Sequence, residues 1–295
     1  MPAAWSRVRR FVALGAASVA VVLTGCTGAP TPDPDPPASL PPGVRVEVYQ
    51  NRFDYAERVL EIRVANESDT DLDVVSASFE SPRFAEAAVY DSSVRIDAGR
   101  TIDLRVKLPT VVCDDAGDAR DAVVLSWRDG GGTASESLEP SDDNQVVDRI
   151  VAEDCVTQAV DEVVAIAPST VLRIDGEGPS SVAWVDVAVT PTGNAGTVTI
   201  DRVGATVLLT SVSGLDWPAG FTVDASTPPR TIPLDLRPTR CDPHAVAEDK
   251  RGTVFPLAVS TSAGFSGTYD LVVSDALRGQ IYEWIGARCG TTNAS

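Results

Sequence analysis

Two groups of closely spaced acidic residues are the strongest candidates in this chain for a ligand-binding site. One group follows Cys113 and a second follows Cys241, and they include Asp114, Asp115, Asp118, Asp121, Asp242, Glu248 and Asp249. If the two segments are loops at one end of a fold, their carboxylates could pool into a weak Ca²⁺ site or an acidic contact patch. The alternative, which we favour, is that they keep a lysine-poor surface soluble. Asp114, Asp118 and Asp242 are accordingly the carboxylates that we assign to possible ligand or partner contacts.

A further acidic run extends from Asp69 to Asp73, with Glu80 at the distance of a distal calcium ligand. Alternating oxygen ligands followed by a bidentate glutamate suit a hard cation. However, the position that an EF-hand fills with glycine is Val74, and the flanking residues alternate as strands do. We therefore predict an acidic hairpin turn here.

Catalysis has little support in the sequence. His244 is the only histidine, and an imidazole acts as a general base only with a positioned partner. No serine lies in a G-x-S-x-G elbow. We predict no catalytic residue, no metal site and no cofactor. Trp217, in Leu-Asp-Trp-Pro, is the best candidate for an exposed aromatic that contacts a ligand, although packing is the commoner role of such a residue.

The first 25 residues have the features of a secretory signal. Three arginines precede an apolar run of 13 residues, Phe11 to Leu23, which is too short to cross a hydrocarbon core of ~30 Å. The run ends in the four residues Leu23-Thr24-Gly25-Cys26.

With this lipobox the chain resembles a bacterial lipoprotein precursor. The resemblance implies that the Cys26 thiol receives a diacylglyceryl group, that residues 1–25 are removed, and that the new amino terminus is acylated. Two or more acyl chains make a stable anchor where one does not. We expect a lipid-anchored protein on the extracytoplasmic face of the cell membrane. An ordinary signal peptide with a coincidental cysteine is the alternative.

The amino-acid composition argues against one class of partner and predicts an extended spacer after the signal. The 42 acidic and 24 basic residues give a net charge of −18, which argues against nucleic acid because phosphate binding needs clustered lysine and arginine. Residues 26–42 follow the signal and are dense in proline, so we predict an extended spacer between the lipid and the folded part.

From Val44 onward the hydrophobic period is two. Leu60, Ile62 and Val64 alternate with Glu61 and Arg63, and several later segments repeat this pattern. Such alternation places one side of a strand on a core and the other in water. Many short strands separated by polar turns indicate a β-sandwich.

An internal repeat divides the folded part. Arg-Thr-Ile-Asp-Leu at 100–104 precedes Cys113, and Arg-Thr-Ile-Pro-Leu at 230–234 precedes Cys241. Each copy continues through an acidic loop and an apolar strand to a cluster with i, i+3, i+4 spacing and then a second cysteine. We interpret this as a tandem duplication with a short helix near the end of each unit. The candidate helix caps are Ser141 or Asp142, and Ser274 or Asp275.

The repeat also indicates how the cysteines pair. Five cysteines divide into the lipid site Cys26 and two pairs. Counting alone allows three connectivities for four cysteines, and duplication favours the local one, Cys113–Cys155 and Cys241–Cys289. Four buried free thiols are the alternative.

Together these features predict two tandem Ig-like antiparallel β-sandwiches, over residues 43–158 and 159–290, with a tail at 291–295. We expect a non-catalytic binding or assembly module whose partners are the membrane, through the anchor, and another envelope protein. Two alternatives remain. One is a solute-binding lipoprotein of a transporter, and the other is a hydrolase of wall polymers that would need two carboxylates in one groove with one pKa raised.

Overall fold

Two antiparallel β-sandwiches form the part of the chain that the computed structural model describes, which is residues 39–290 apart from 52, 56, 114–119, 243, 245, 247, 248 and 250. The predicted signal, Cys26, most of the tether and the tail at 291–295 lie outside the described residues. The described residues all belong to one compact unit. Neither of the helices given below has the length and apolar character needed to cross a membrane.

Sandwich 1 packs a three-stranded sheet on a larger one. The first sheet has the order β1-β2-β6, with β1 at Val44–Tyr49, β2 at Val59–Asn66 and β6 at Arg100–Lys107. The second has the order β4-β3-β7-β8, and β5 also pairs with β3. Its strands are β3 Leu72–Glu80, β4 Ala88–Tyr90, β5 Val94–Ile96, β7 Ala122–Asp129 and β8 Gly132–Leu138.

Sandwich 2 repeats this arrangement. One sheet has the order β10-β11-β15-β13, with β9 also paired to β11, and the other has the order β14-β12-β16-β17. The strands of the first sheet are β9 Val164–Pro168, β10 Arg173–Asp175, β11 Val182–Pro191, β13 Leu209–Thr210 and β15 Arg230–Pro238. Those of the second are β12 Val198–Val203, β14 Trp217–Val223, β16 Val254–Thr261 and β17 Ser266–Val272, and a 3₁₀ turn covers Gly178–Ser180.

The strand order matches the sequence repeat. The pair β2-β6 corresponds to β11-β15, and the run β3-β7-β8 corresponds to β12-β16-β17. The repeated segments at 100–104 and 230–234 begin the equivalent strands β6 and β15. The predicted fold class, two antiparallel sandwiches with a helix near the end of each, is confirmed.

The apolar residues of the alternating segments fill both cores, as expected. Leu60, Ile62 and Val64 are fully buried between the sheets of sandwich 1, and Val185 and Val187 are fully buried in sandwich 2. Burying such side chains, at ~25 cal/mol per Å² of apolar surface, is the main stabilisation available to each sandwich.

Helix α1, Val146–Val163, belongs to both cores. Val147 and Ile150 in its first half pack into the core of sandwich 1. Val156, Val160 and Val163 in its second half pack into the core of sandwich 2. The predicted division after Gln158 therefore falls inside a continuous helix, and the junction between the sandwiches is a packed structure.

Local hydrogen bonds fix where each helix starts. The Asp142 carboxylate accepts from the backbone N–H groups of Val146 and Val147, at 2.7 and 2.9 Å. Helix α2, Asp275–Cys289, is capped by Ser274, whose hydroxyl accepts from the Leu277 N–H at 3.2 Å. These are two of the four capping residues proposed from the sequence, and they satisfy donors that have no partner inside a helix.

We predict that Val160→Asp destabilises the protein through the shared helix. The Val160 side chain has no exposed surface, so the substitution places an unpaired charge in the core of sandwich 2 and should lower the free energy of unfolding by ~3 kcal/mol or more. Urea unfolding followed by circular dichroism measures this. Ala152→Asp, at an exposed position of the same helix, is the matched control and should cost less than ~1 kcal/mol. Equal losses in the two variants would contradict the buried position of Val160.

Candidate functional site

The carboxylates predicted as contact residues do not form a metal site in the described structure. Asp114 and Asp118 lie outside the described residues. Asp242 is exposed, and its Oδ1 accepts from the His244 backbone N–H at 3.0 Å. Asp121 pairs with Arg83 inside sandwich 1, whereas Asp249 accepts from Tyr282 inside sandwich 2. Among the described residues, no three His, Cys, Asp or Glu side chains converge as metal ligands.

The acidic run at 69–73 makes a turn that crosses from the sheet of β2 to the sheet of β3, so the predicted hairpin turn is wrong: β2 and β3 do not pair with each other. Asp71 Oδ1 accepts from the Ala98 N–H at 2.9 Å, and its other oxygen pairs with Arg95. Glu80 lies at the far end of β3, a strand of nine residues, and is therefore separated from the turn by ~25 Å. It cannot close a calcium loop with these aspartates.

Trp217 is buried, so the prediction that it is an exposed contact residue is wrong. Its side chain is 3% exposed and packs edge-to-face on Phe255 with ring centroids 5.8 Å apart. The indole N–H donates to the Asp235 carbonyl and carboxylate at 2.8 and 2.9 Å. A satisfied indole in a core is the packing role that competed with ligand contact in the sequence.

Both disulfides have the local connectivity. Cys113 is bonded to Cys155, a residue of α1 that is buried in the core of sandwich 1. Cys241 is bonded to Cys289, the last residue of α2. Cys155 is 3% exposed and Cys241 lies at the surface, so the two equivalent bonds have different environments.

Strand register shows which end of sandwich 2 points away from the incoming chain. The chain enters sandwich 1 at Val44, opposite Asn66 at the end of β2. β8 runs to the other end of sandwich 1 and is followed by α1. β9 then begins beside Pro191, the last residue of β11, so α1 meets sandwich 2 at this end. Pro238, at the end of β15, lies at the opposite end of sandwich 2.

Three aliphatic side chains are exposed at this opposite end, in the segment that connects β12 to β14. Val207 is 59% exposed, Val212 is 43% exposed and Leu215 is 74% exposed. Single exposed aliphatic residues are ordinary, but several in one short segment are a feature of interaction sites.

Two arginines adjoin the three aliphatic residues. Arg237 lies directly across from Thr210 in the β13–β15 pair. Arg240 follows Thr239, whose hydroxyl donates to the Val207 carbonyl at 2.8 Å. Both arginines are exposed, and neither makes an ion pair within the described part of the chain. We term these five residues, Val207, Val212, Leu215, Arg237 and Arg240, the distal surface.

A buried framework holds the distal surface in place. The Thr206 hydroxyl accepts from the Leu208 and Leu209 N–H groups at 3.2 and 2.9 Å, and both leucines are fully buried. The Thr210 hydroxyl bonds to the carbonyls of Gly214 and Leu215 at 2.7 and 2.6 Å. The exposed aliphatic residues therefore project from a segment whose neighbours are fixed, so little conformational entropy is lost when they make a contact.

A pair of buried carboxylates is a second candidate site, on sandwich 1. Arg105 Nη2 lies 3.0 Å from Asp54 Oδ1, and its Nη1 lies 3.4 Å from Glu61 Oε1. Asp54 has no exposed surface and Glu61 is 3% exposed. Glu61 Oε2 has no hydrogen-bond partner among the described residues. Burial raises the pKa of Glu61, and the negative charge of Asp54 raises it further, against the opposing effect of Arg105.

Sequence reasoning missed this pair for an identifiable reason. Alternation assigned Glu61 to the water-facing side of β2, but the β1–β2 loop folds over that side and buries it. Asp54 stabilises the loop by accepting from the Asn51 N–H at 2.7 Å. The pair meets one requirement for a carboxylate hydrolase, a raised pKa, but both side chains are covered. A general acid must lie within hydrogen-bond reach of its substrate.

Comparisons with known proteins give only distant likenesses. No family model matches the chain. No curated protein matches it either. Red sea bream transglutaminase is similar at 12% identity and a TM-score of 0.23, over 79% of this chain and 31% of that one, so this chain spans about a third of it. A CsuC–CsuE chaperone–tip adhesion subunit complex of Acinetobacter baumannii is similar at 12% identity and a TM-score of 0.19, over 74% and 93% of the two chains. The B domain of a biofilm associated protein is similar at 11% identity and a TM-score of 0.20, over 80% and 87%. These likenesses carry no argument about function.

We predict that Glu61→Gln changes how stability depends on pH. A carboxyl whose pKa is raised by folding binds its proton more tightly in the folded state, so it makes the protein less stable as pH rises above the unfolded value of ~4.3. The variant should lose this decline and gain stability relative to the native chain as pH rises above that value. Thermal unfolding at a series of pH values measures it. Glu57→Gln, which removes an exposed carboxylate 3.4 Å from the same guanidinium, is the control and should leave the decline intact. A constant difference between Glu61→Gln and the native chain at all pH values would disprove the expectation.

Proposed function

We propose that this protein is a lipid-anchored, non-catalytic binding module of a bacterial cell envelope. Cys26 would carry the anchor, and the two sandwiches would present the distal surface to a partner outside the cytoplasmic membrane. The observation that carries the binding role is the position of the distal surface. Its exposed aliphatic residues lie on a fixed framework, at the end of sandwich 2 opposite the one that receives α1.

The packing of α1 supports this role. Because Val147 lies in one core and Val160 in the other, the end of sandwich 1 that receives the chain and the distal surface are connected through packed structure. This packing fixes the distal surface relative to the end of sandwich 1 that the chain enters, and a fixed geometry lowers the entropic cost of contact.

The alternatives have weaker support. A receptor that closes around a solute commonly alternates strands with helices around a cleft, whereas in the described residues each long helix follows the last strand of a sandwich. A carboxylate hydrolase finds its paired acids in Asp54 and Glu61, but neither side chain reaches the surface. We therefore favour the binding module over both.

We predict that the anchor depends on Cys26. In a bacterium that processes lipoproteins, the mature amino-terminal peptide should begin at residue 26 and carry the mass of a diacylglyceryl group, and the protein should fractionate with membranes. Cys26→Ala removes the only proposed acceptor and should yield unlipidated protein that leaves the membrane fraction. Mass spectrometry of the amino-terminal peptide decides this. An unlipidated peptide from the native chain would refute the anchor and leave the binding role to be tested separately.

We also predict that crosslinking in cells captures an envelope protein through the distal surface. The chain has two lysines and 42 acidic residues, so a carboxyl-reactive crosslinker suits it better than an amine-reactive one. Leu215→Asp should reduce capture by about tenfold or more, because a buried contact residue that gains a charge loses its apolar contact and must be desolvated. Val89→Asp, at a similarly exposed aliphatic residue of sandwich 1, is the control and should retain capture. If the native chain captures no protein, the binding role is wrong.

A further inference from the structure

The distal surface combines apolar side chains with two guanidinium groups that have no ion-pair partner among the described residues. Arg237 and Arg240 make no ion pair with any described residue, and Asp242 is the exposed carboxylate next to them in sequence. Asp216 and Asp235 lie in the same two segments, but Asp216 pairs with Arg202 and the Asp235 carboxylate accepts from Ser211 and Trp217.

Some arginines elsewhere in the protein are surrounded by carboxylates, whereas others, such as Arg128, have no ion pair with a described residue. Arg95 lies within ion-pair distance of Asp71, Asp73 and Asp97. Arg105 is similarly placed against Asp54, Glu57 and Glu61. Because Arg237 and Arg240 adjoin exposed aliphatic side chains and lack such partners among the described residues, their guanidinium groups can pair with carboxylates from another molecule.

From this juxtaposition we infer that the distal surface binds a protein segment in which apolar side chains are flanked by aspartate or glutamate. The partner's apolar residues cover Val207, Val212 and Leu215, and its carboxylates pair with Arg237 and Arg240. Burial of the aliphatic side chains supplies affinity. The two charge pairs supply orientation and selectivity, because complementary charges at a rim exclude partners of the wrong sign. This inference rests on the proposed binding function and specifies its partner.

A protein segment fits the surface better than a lipid bilayer. Helices and loops that insert into membrane interfaces expose tryptophan, phenylalanine or leucine beside many basic residues. The distal surface has two arginines and no aromatic residue, and the nearby Trp217 is buried. An anionic bilayer would also face the negative charge of the rest of the chain, whereas a protein segment brings its carboxylates only to the rim.

Photo-crosslinking from inside the distal surface tests the inference on the full chain in cells. Benzoylphenylalanine is introduced in place of Val212, and the captured peptide is sequenced by mass spectrometry. We expect apolar residues flanked by Asp or Glu in that peptide. Arg237→Glu combined with Arg240→Glu should reduce capture about tenfold, while Arg128→Glu, at an exposed arginine of sandwich 1, should not. Replacing the flanking acids of the captured segment with lysine should restore capture by the double variant.

The outcomes separate this inference from the function on which it rests. Capture of a protein that is unaffected by the double charge reversal, or a captured peptide without acidic residues, overturns the inference and leaves the binding function standing. Capture of lipid in place of protein also overturns it and identifies a membrane surface as the partner. If probes at Val212 and at other exposed sites capture no protein while Cys26 is lipidated, the proposed function itself fails.

Discussion

The packing of one helix into two hydrophobic cores is the constraint on which the architecture depends. Val147 and Ile150 of α1 lie in the core of sandwich 1, and Val156 and Val160 lie in that of sandwich 2. Domains joined by a flexible linker turn freely, but rotation here would expose buried valine side chains to water. Phe265 packs against both cores, and Tyr269 donates to Asp161 of α1 at 2.9 Å, so β16 and β17 reinforce the junction.

Polar interactions connect the buried carboxylates to the same helix. The β1–β2 loop, which covers Glu61, is held against α1 by two arginines: Arg149 donates to Gln50 at 2.6 Å, and Arg58 pairs with Asp154 at the same distance. A carboxylate with an unbonded buried oxygen disfavours the folded state, and these bonds offset part of that cost. The first half of α1 thus stabilises both an apolar core and the loop that shields a charged pair.

Local sequence patterns predicted the strands and helices of this fold, but they could not predict contacts between residues that are distant in sequence. Alternation with a period of two identified the strands, and the repeated Arg-Thr-Ile motif identified equivalent strands and the disulfide pairs. Glu61 follows the alternation and is nevertheless buried, because a loop covers it. Trp217 precedes a proline in a turn-like segment, and its burial depends on Asp235, 18 residues away. The valines at 156, 160 and 163 have helical spacing, but the second cysteine at 155 led us to end the first unit at Gln158.

Equivalent segments of the two sandwiches show how the same fold acquired different surfaces. The β3–β4 connection of sandwich 1 carries Phe84, which is 6% exposed and packs edge-to-face on Phe79. The corresponding connection of sandwich 2, between β12 and β14, carries Leu215 at 74% exposure. The same connection also places Leu208 and Leu209 in the core of sandwich 2, so burial of apolar residues is met in both sandwiches. Leu215 is additional to these buried leucines and contributes little to the core, so its side chain is available for contact with another molecule.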